Sequence, residues 1–159
     1  MTRLIGISPN MSAFLDMIAL SEIGALLLSE SDDGYNILVG ATPSNMLTFS
    51  NYSTHPNILN KSLNSTAAGR YQIIHPTWFS LCKQKGYTDF SPETQDAMAM
   101  DLIAQKGGTP FIEQGAIVGA LRACSPIWAS LPFSGAGQPT NSIGELISAF
   151  ANFGGTISA

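Results

Sequence analysis

The chain has 159 residues, the length of one domain with room for a sizeable core. Only 11% of its residues are charged, against about 25% in an average soluble protein, so most of the surface is hydroxyl and amide. The net charge is −4, and the basic residues Arg3, Lys61, Arg70, Lys83, Lys85, Lys106 and Arg122 are scattered. No stripe neutralises a phosphate backbone or docks on an anionic bilayer, which argues against nucleic acid and membrane as partners. No apolar run approaches the ~20 residues of a membrane span. The N-terminal run is too short for a signal peptide, so the protein is expected to be made and folded in the cytoplasm. Cys82 and Cys124 lack metal or redox spacing and are expected as free thiols.

No internal repeat or linker divides residues 1–159, so a single domain is expected. In chain order, a first helix is predicted over residues 9–21. Ser8 is placed to cap it, and Pro9 suits a first helical position that needs no amide donor. Phe14, Leu15, Ile18 and Ala19 fall at helical spacing and form its buried face. Asp32-Asp33-Gly34 is a turn signal, Tyr35, Ile37, Leu38 and Val39 read as a short strand, and residues 46–49 return after a hairpin connection at 40–45. Helices are predicted at residues 76–85, stopped by Gly86, and from Ser91-Pro92-Glu93 to about residue 106, closed by Gly107-Gly108. Another is expected over residues 116–124. In the last helix, Ile143, Leu146, Ile147 and Phe150 sit at i, i+3, i+4 and i+7, behind a Ser142/Glu145 capping box and before Gly154-Gly155. The order helix, small sheet, helices is an α+β arrangement.

Several chemistries lack their residues. His55 and His75 each precede a proline, and no His-x-x-x-His, Cys-x-x-Cys, Gly-x-Ser-x-Gly or phosphate-binding glycine loop occurs. Metal hydrolysis and phosphoryl transfer are therefore unsupported, and no cofactor or metal is expected. Among the carboxylates Glu22 stands out. It lies four residues beyond Ile18 at the end of the first helix, between Leu20 and Ile23. Restricted hydration and the negative end of the helix dipole both push its pKa up, as a general acid requires. The competing reading is a glutamate fraying into solvent at a helix end. Asp16, Glu93, Asp96 and Asp101 suit structural or surface positions on helices. Glu30, Asp32 and Asp33 are the candidates for a second acid opposite Glu22.

The segment Ala13-Phe14-Leu15-Asp16-Met17-Ile18-Ala19-Leu20-Ser21-Glu22 resembles the stretch around the catalytic glutamate of lambda-type phage lysozymes. Gly34-Tyr35-Asn36-Ile37-Leu38-Val39-Gly40 resembles their following strand. His55-Pro56 and Ser65-Thr66-Ala67-Ala68-Gly69-Arg70-Tyr71-Gln72 resemble their groove segments. Phe90-Ser91-Pro92 with Gln95-Asp96-Ala97, Cys124-Ser125 with Ile127-Trp128-Ala129-Ser130-Leu131-Pro132, and Gly154-Gly155-Thr156 are similar as well. They occur in family order at nearly the family spacing over most of the chain.

The resemblance implies a lysozyme-like α+β fold, with a small sheet lobe, a larger helical lobe and a glycan groove between them. It implies a phage endolysin acting as a monomer on a peptidoglycan strand for host-cell lysis, released from the cytoplasm to the periplasmic wall through a membrane pore. The implied reaction is lytic transglycosylation of the MurNAc-GlcNAc β-1,4 bond with Glu22 as acid/base, forming 1,6-anhydro-N-acetylmuramic acid. Tyr71 and Gln72 match a groove-lining pair. Tyr35 and His55 are carried over as sugar contacts, against strand packing and a pre-proline turn. Arg70 faces the lactyl carboxylate or pairs with an acid. Trp78 and Trp128 read as core. Three departures stand out: Ile23 intervenes before Gly24, Asn36 replaces an acid, and Gly135-Ala136-Gly137-Gln138 lacks an aromatic between its glycines. Residues 54–62 and 133–141, rich in Pro, Gly, Asn and Ser, correspond to mobile lips over the groove. A hydrolytic muramidase of the same fold and a non-catalytic glycan-binding or virion protein are the alternative readings.

Overall fold

A computed structural model describes residues 1–135, 137 and 141–158. Its helices are α1 (Pro9–Ile23), α2 (Ala25–Glu30), α3 (His75–Lys85), α4 (Pro92–Gln105), α5 (Thr109–Glu113), α6 (Ile117–Cys124) and α7 (Ile143–Asn152). The Ser8 hydroxyl accepts from the Met11 amide at 3.0 Å, so α1 starts where its cap and Pro9 direct it. Every residue from 13 to 19 is buried, a wider face than the four-residue pattern implies. The reason is tertiary: α7, α5 and α2 all pack on α1, which becomes the axis of the core. Residues 25–28 belong to α2, whose six residues are too few to show a period. The short α5 likewise gives no periodic signal. Cys82 and Cys124 are free.

The small lobe pairs as the alternation predicts but never settles into a regular ladder. Ile37 bridges Thr48, Leu38 bridges Ala68, and Ala68 bridges Ile73. The Leu38 amide donates to the Leu47 carbonyl and Phe49 to Asn36, both at 2.9 Å. Left-handed residues at Gly40, Asn57, Asn64, Gly69 and Gln72 interrupt each run after one or two pairs. At Gly69 (φ +81°) the demand is for space as well: a Cβ there would lie 2.2 Å from Gln95 Oε1. That oxygen accepts from the Arg70 amide, and the Gln95 amide nitrogen donates to the Tyr35 and Phe90 carbonyls. One buried glutamine thus ties α4 to the small lobe.

Asp96 corrects an expectation. The helix pattern assigns it to a polar face, yet it is fully buried. Its Oδ2 accepts from the Arg3 and Leu4 amides, each at 2.8 Å, and Oδ1 accepts from the Tyr35 and Tyr71 hydroxyls at 2.8 and 2.6 Å. Four donors replace its hydration, which makes burial of the carboxylate tolerable. Asp16 is buried in the same way, accepting from the Thr2 amide and hydroxyl and from the Arg70 guanidinium.

Candidate active site

Glu22 stands next to the last residue of α1. Ile23, the residue that interrupts the family pattern, is buried and packs with Leu27 and Ile37 against Ala41 and Met46. It therefore pins the end of α1 to the small lobe. Gly24 (φ +91°) then turns the chain into α2, its amide closing on the Leu20 carbonyl at 3.0 Å. Glu22 is held, half-buried, where the two lobes meet.

Glu22 Oε1 accepts from the Ser130 hydroxyl at 2.8 Å. Ser130 is also 2.8 Å from the Ser21 hydroxyl, which accepts from the Asn141 amide nitrogen at 2.7 Å. Burial raises the Glu22 pKa, and the Ser130 hydroxyl and amide oppose it only in part. No charged group takes part in that shift. Asp32 receives Arg3 and the Tyr52 hydroxyl at 2.5 Å, which hold its pKa down. Asp33 pairs with Arg70 at 2.9 Å and with the N-terminal ammonium, and Glu30 is exposed. Asn36 Oδ1 accepts from the Asp32 amide. Among the described residues no cluster of His, Cys, Asp or Glu could hold a metal ion. Glu22 is thus a carboxyl group biased toward its proton, while Asp32 and Asp33 are engaged by cations and Glu30 is exposed.

A family model described as Endolysin matches residues 12–157. The chain belongs to the endolysin family. The endolysin of Escherichia phage lambda is 40% identical over 158 residues, covering 97% of each chain. That of Escherichia phage P2 is 37% identical over 154 residues, covering 92% of this chain and 93% of its own. Among solved structures, bacteriophage lambda lysozyme complexed with a chitohexasaccharide matches with a TM-score of 0.86 at 41% identity, over 98% of this chain and 100% of that one. A second structure of the lysozyme from bacteriophage lambda matches at 0.83 and 39%, with the same coverage. The lysozyme-like α+β fold expected from the sequence is therefore the fold of this endolysin.

Within the endolysin frame the five expected sugar contacts part company. Tyr35, His55, Arg70 and Tyr71 are each at most 2% exposed, and a side chain so enclosed has no surface to offer a glycan. Arg70 pairs with Asp16 at 2.6 Å and with Asp33 and lies over the Tyr35 ring, so its guanidinium is engaged by acids of the protein itself. The Tyr35 and Tyr71 hydroxyls serve Asp96. His55 Nδ1 accepts from the Asn57 amide at 3.0 Å, so Nε2 carries the proton donated to the Ile73 carbonyl at 2.7 Å. Burial lowers its pKa, and the ring packs against Phe90 and His75. Gln72 is half-buried, its amide nitrogen donating to the Gly69 carbonyl at 2.9 Å. It borders, with Ile127, Trp128 and Lys106, a cavity of about 350 Å³.

Trp128 is core, its Nε1 donating to the Tyr71 carbonyl at 2.9 Å. Ser130 and Asn141 escaped the sequence reading, because Ser130 meets Ser21 and Glu22, and Asn141 meets Ser21, across more than a hundred residues, and serine and asparagine carry no periodic signal. Of the segment 133–141, residues 136 and 138–140 lie outside the described residues, and with them the Ala136 and Gln138 departures.

Proposed function

We propose that this endolysin opens peptidoglycan by lytic transglycosylation, with Glu22 as both acid and base. Protonated Glu22 gives its proton to the glycosidic oxygen between N-acetylmuramic acid and N-acetylglucosamine as the C1–O bond breaks. The C6 hydroxyl of the same muramoyl residue attacks C1, and the Glu22 carboxylate takes the hydroxyl proton. No water is consumed, Glu22 regains its starting state, and the new end is a 1,6-anhydro ring. The observation that carries this reading is a half-buried glutamate with its pKa raised by burial, beside acids engaged elsewhere. An attacking hydroxyl supplied by the substrate needs no second carboxylate to hold it. The substrate partner is a glycan strand, the working species a monomer, and the route to the wall a membrane pore made elsewhere.

Two measurements test this. Glu22→Gln removes the transferable proton and should lower the clearing of permeabilised cells by at least ~10²-fold with the fold intact. A variant keeping a tenth of the activity overturns the assignment. Mass spectrometry of digested sacculi should find anhydro-muramoyl ends. Reducing muramoyl ends instead would make the enzyme a hydrolytic muramidase.

A further inference from the structure

Around an ionised Glu22 the hydrogen bonds have one consistent direction. The Asn141 amide nitrogen can only donate, so Ser21 Oγ accepts from it at 2.7 Å. An ionised Glu22 can only accept, so the single Ser130 hydroxyl proton points to Oε1 at 2.8 Å. The 2.8 Å contact between the two serines is then filled by the Ser21 proton. The chain runs Asn141 to Ser21 to Ser130 to Glu22, each group donating onward. Asn141 is fixed in turn by its own amide, which donates to the Ser130 carbonyl at 3.1 Å. Ser130 and Asn141, the two residues that close the base of the segment between them through their backbones, also hold the glutamate through their side chains.

We infer that Ser130, oriented by Ser21 and Asn141, is the positioning residue of the active site: it fixes Oε1 as the accepting oxygen and leaves Oε2 to carry the reactive proton. A carboxylic acid donates from one oxygen and accepts at the other, so a permanent donor on Oε1 selects the protonated atom. An unrestrained carboxyl would rotate between the two and lose the alignment that proton transfer to a glycosidic oxygen requires. The inference rests on the assignment of Glu22 as acid/base.

The pH dependence follows from the same contacts. The titratable groups on adjoining elements are engaged elsewhere or exposed: Asp16 on α1 with Arg70, Glu145 on α7 with the Ser142 cap, Glu113 on α5 with the Ser8 hydroxyl, Asp32 and Asp33 with Arg3 and Arg70, and Glu30 at the end of α2 in solvent. Arg122 of α6 lies over the Phe133 ring. Burial and the two Ser130 groups alone govern Glu22, so removing the hydroxyl leaves burial less opposed.

The experiment is the pH–rate profile on purified sacculi for wild type, Ser130→Ala, Ser130→Thr and Asn141→Ala, with Glu22→Gln alongside. In Ser130→Ala the rate should fall by roughly ten- to a hundredfold and its alkaline limb should move to higher pH. Ser130→Thr, which keeps a hydroxyl, should restore the limb and most of the rate, whereas Asn141→Ala should shift the limb in the alanine direction by less. A lower rate with an unmoved limb, or threonine no better than alanine, overturns the inference while Glu22→Gln remains dead. An active Glu22→Gln would instead overturn the underlying assignment. Should Ser130→Ala fail to fold, the limb of Asn141→Ala decides in the same way.

Discussion

A carboxylate at the C-terminal end of a helix faces the negative end of its dipole, and Glu22 meets that field with little water around it. Its folded pKa lies above the unfolded value, so a proton stabilises the folded state. Below the unfolded value of about 4.3 Glu22 is neutral in both states and costs nothing. As pH rises through the folded pKa it ionises in poorly hydrated surroundings, and stability is lost. Glu22→Gln should therefore melt above wild type at neutral pH, and the gain should vanish near pH 4. Calorimetry at the two pH values checks this, and a variant that melts lower at neutral pH would contradict it. The burial was legible in the sequence from Ile18, Leu20 and Ile23 around the glutamate. Ser130 was not, because no local pattern marks a hydroxyl whose partner arrives from the other end of the chain.

At the scale of the element, serine caps start α1, α4 and α7. Ser142 accepts from the Glu145 amide and Glu145 answers to the Ser142 amide, which starts α7 where the capping-box pattern placed it. Ser142→Ala should cost about 1 kcal/mol of stability without touching the pH profile. Helices α2 and α5 were missed for want of length. The hairpin of the small lobe was legible and its irregularity was not, since left-handed residues end its pairings. Gly69→Ala should be far more damaging than a surface change, about 2–3 kcal/mol, because strain at positive φ adds to collision with Gln95. Chemical denaturation measures both variants, and a Gly69→Ala protein as stable as wild type would mean that the Gln95 tie relaxes freely. That Asp96 is buried was illegible for a related reason: the four donors that accompany it come from residues 3, 4, 35 and 71.

Across the whole molecule, the buried carboxylates and Arg70 hold the lobes to one another, which leaves glycan contact to more exposed surfaces. Removing Arg70 leaves Asp16 buried beside the Thr2 donors alone, so Arg70→Met should cost about 3–5 kcal/mol and lower activity through loss of folded enzyme. The segment 54–62 is built otherwise. Its base is fixed by the His55 ring and by the Asn60–Ser65 pair, bonded at 2.8 and 3.2 Å. Its tip turns at Asn57 (φ +50°) and presents Ile58 and Leu59, each 51% exposed. The tip is thus less poor in apolar side chains than its Pro and Asn content implied. Exposed aliphatics on an anchored loop gain by folding onto a sugar face, and under the proposed transglycosylation closure would exclude the water that competes with the C6 hydroxyl. Amides at the tip should exchange rapidly in the free enzyme and slow by about tenfold or more when a chitohexasaccharide binds, while those flanking His55 change little. Replacing Ile58 and Leu59 together by serine should then raise the share of reducing ends among the products. Unchanged exchange at the tip with the oligosaccharide bound would show that this segment does not close.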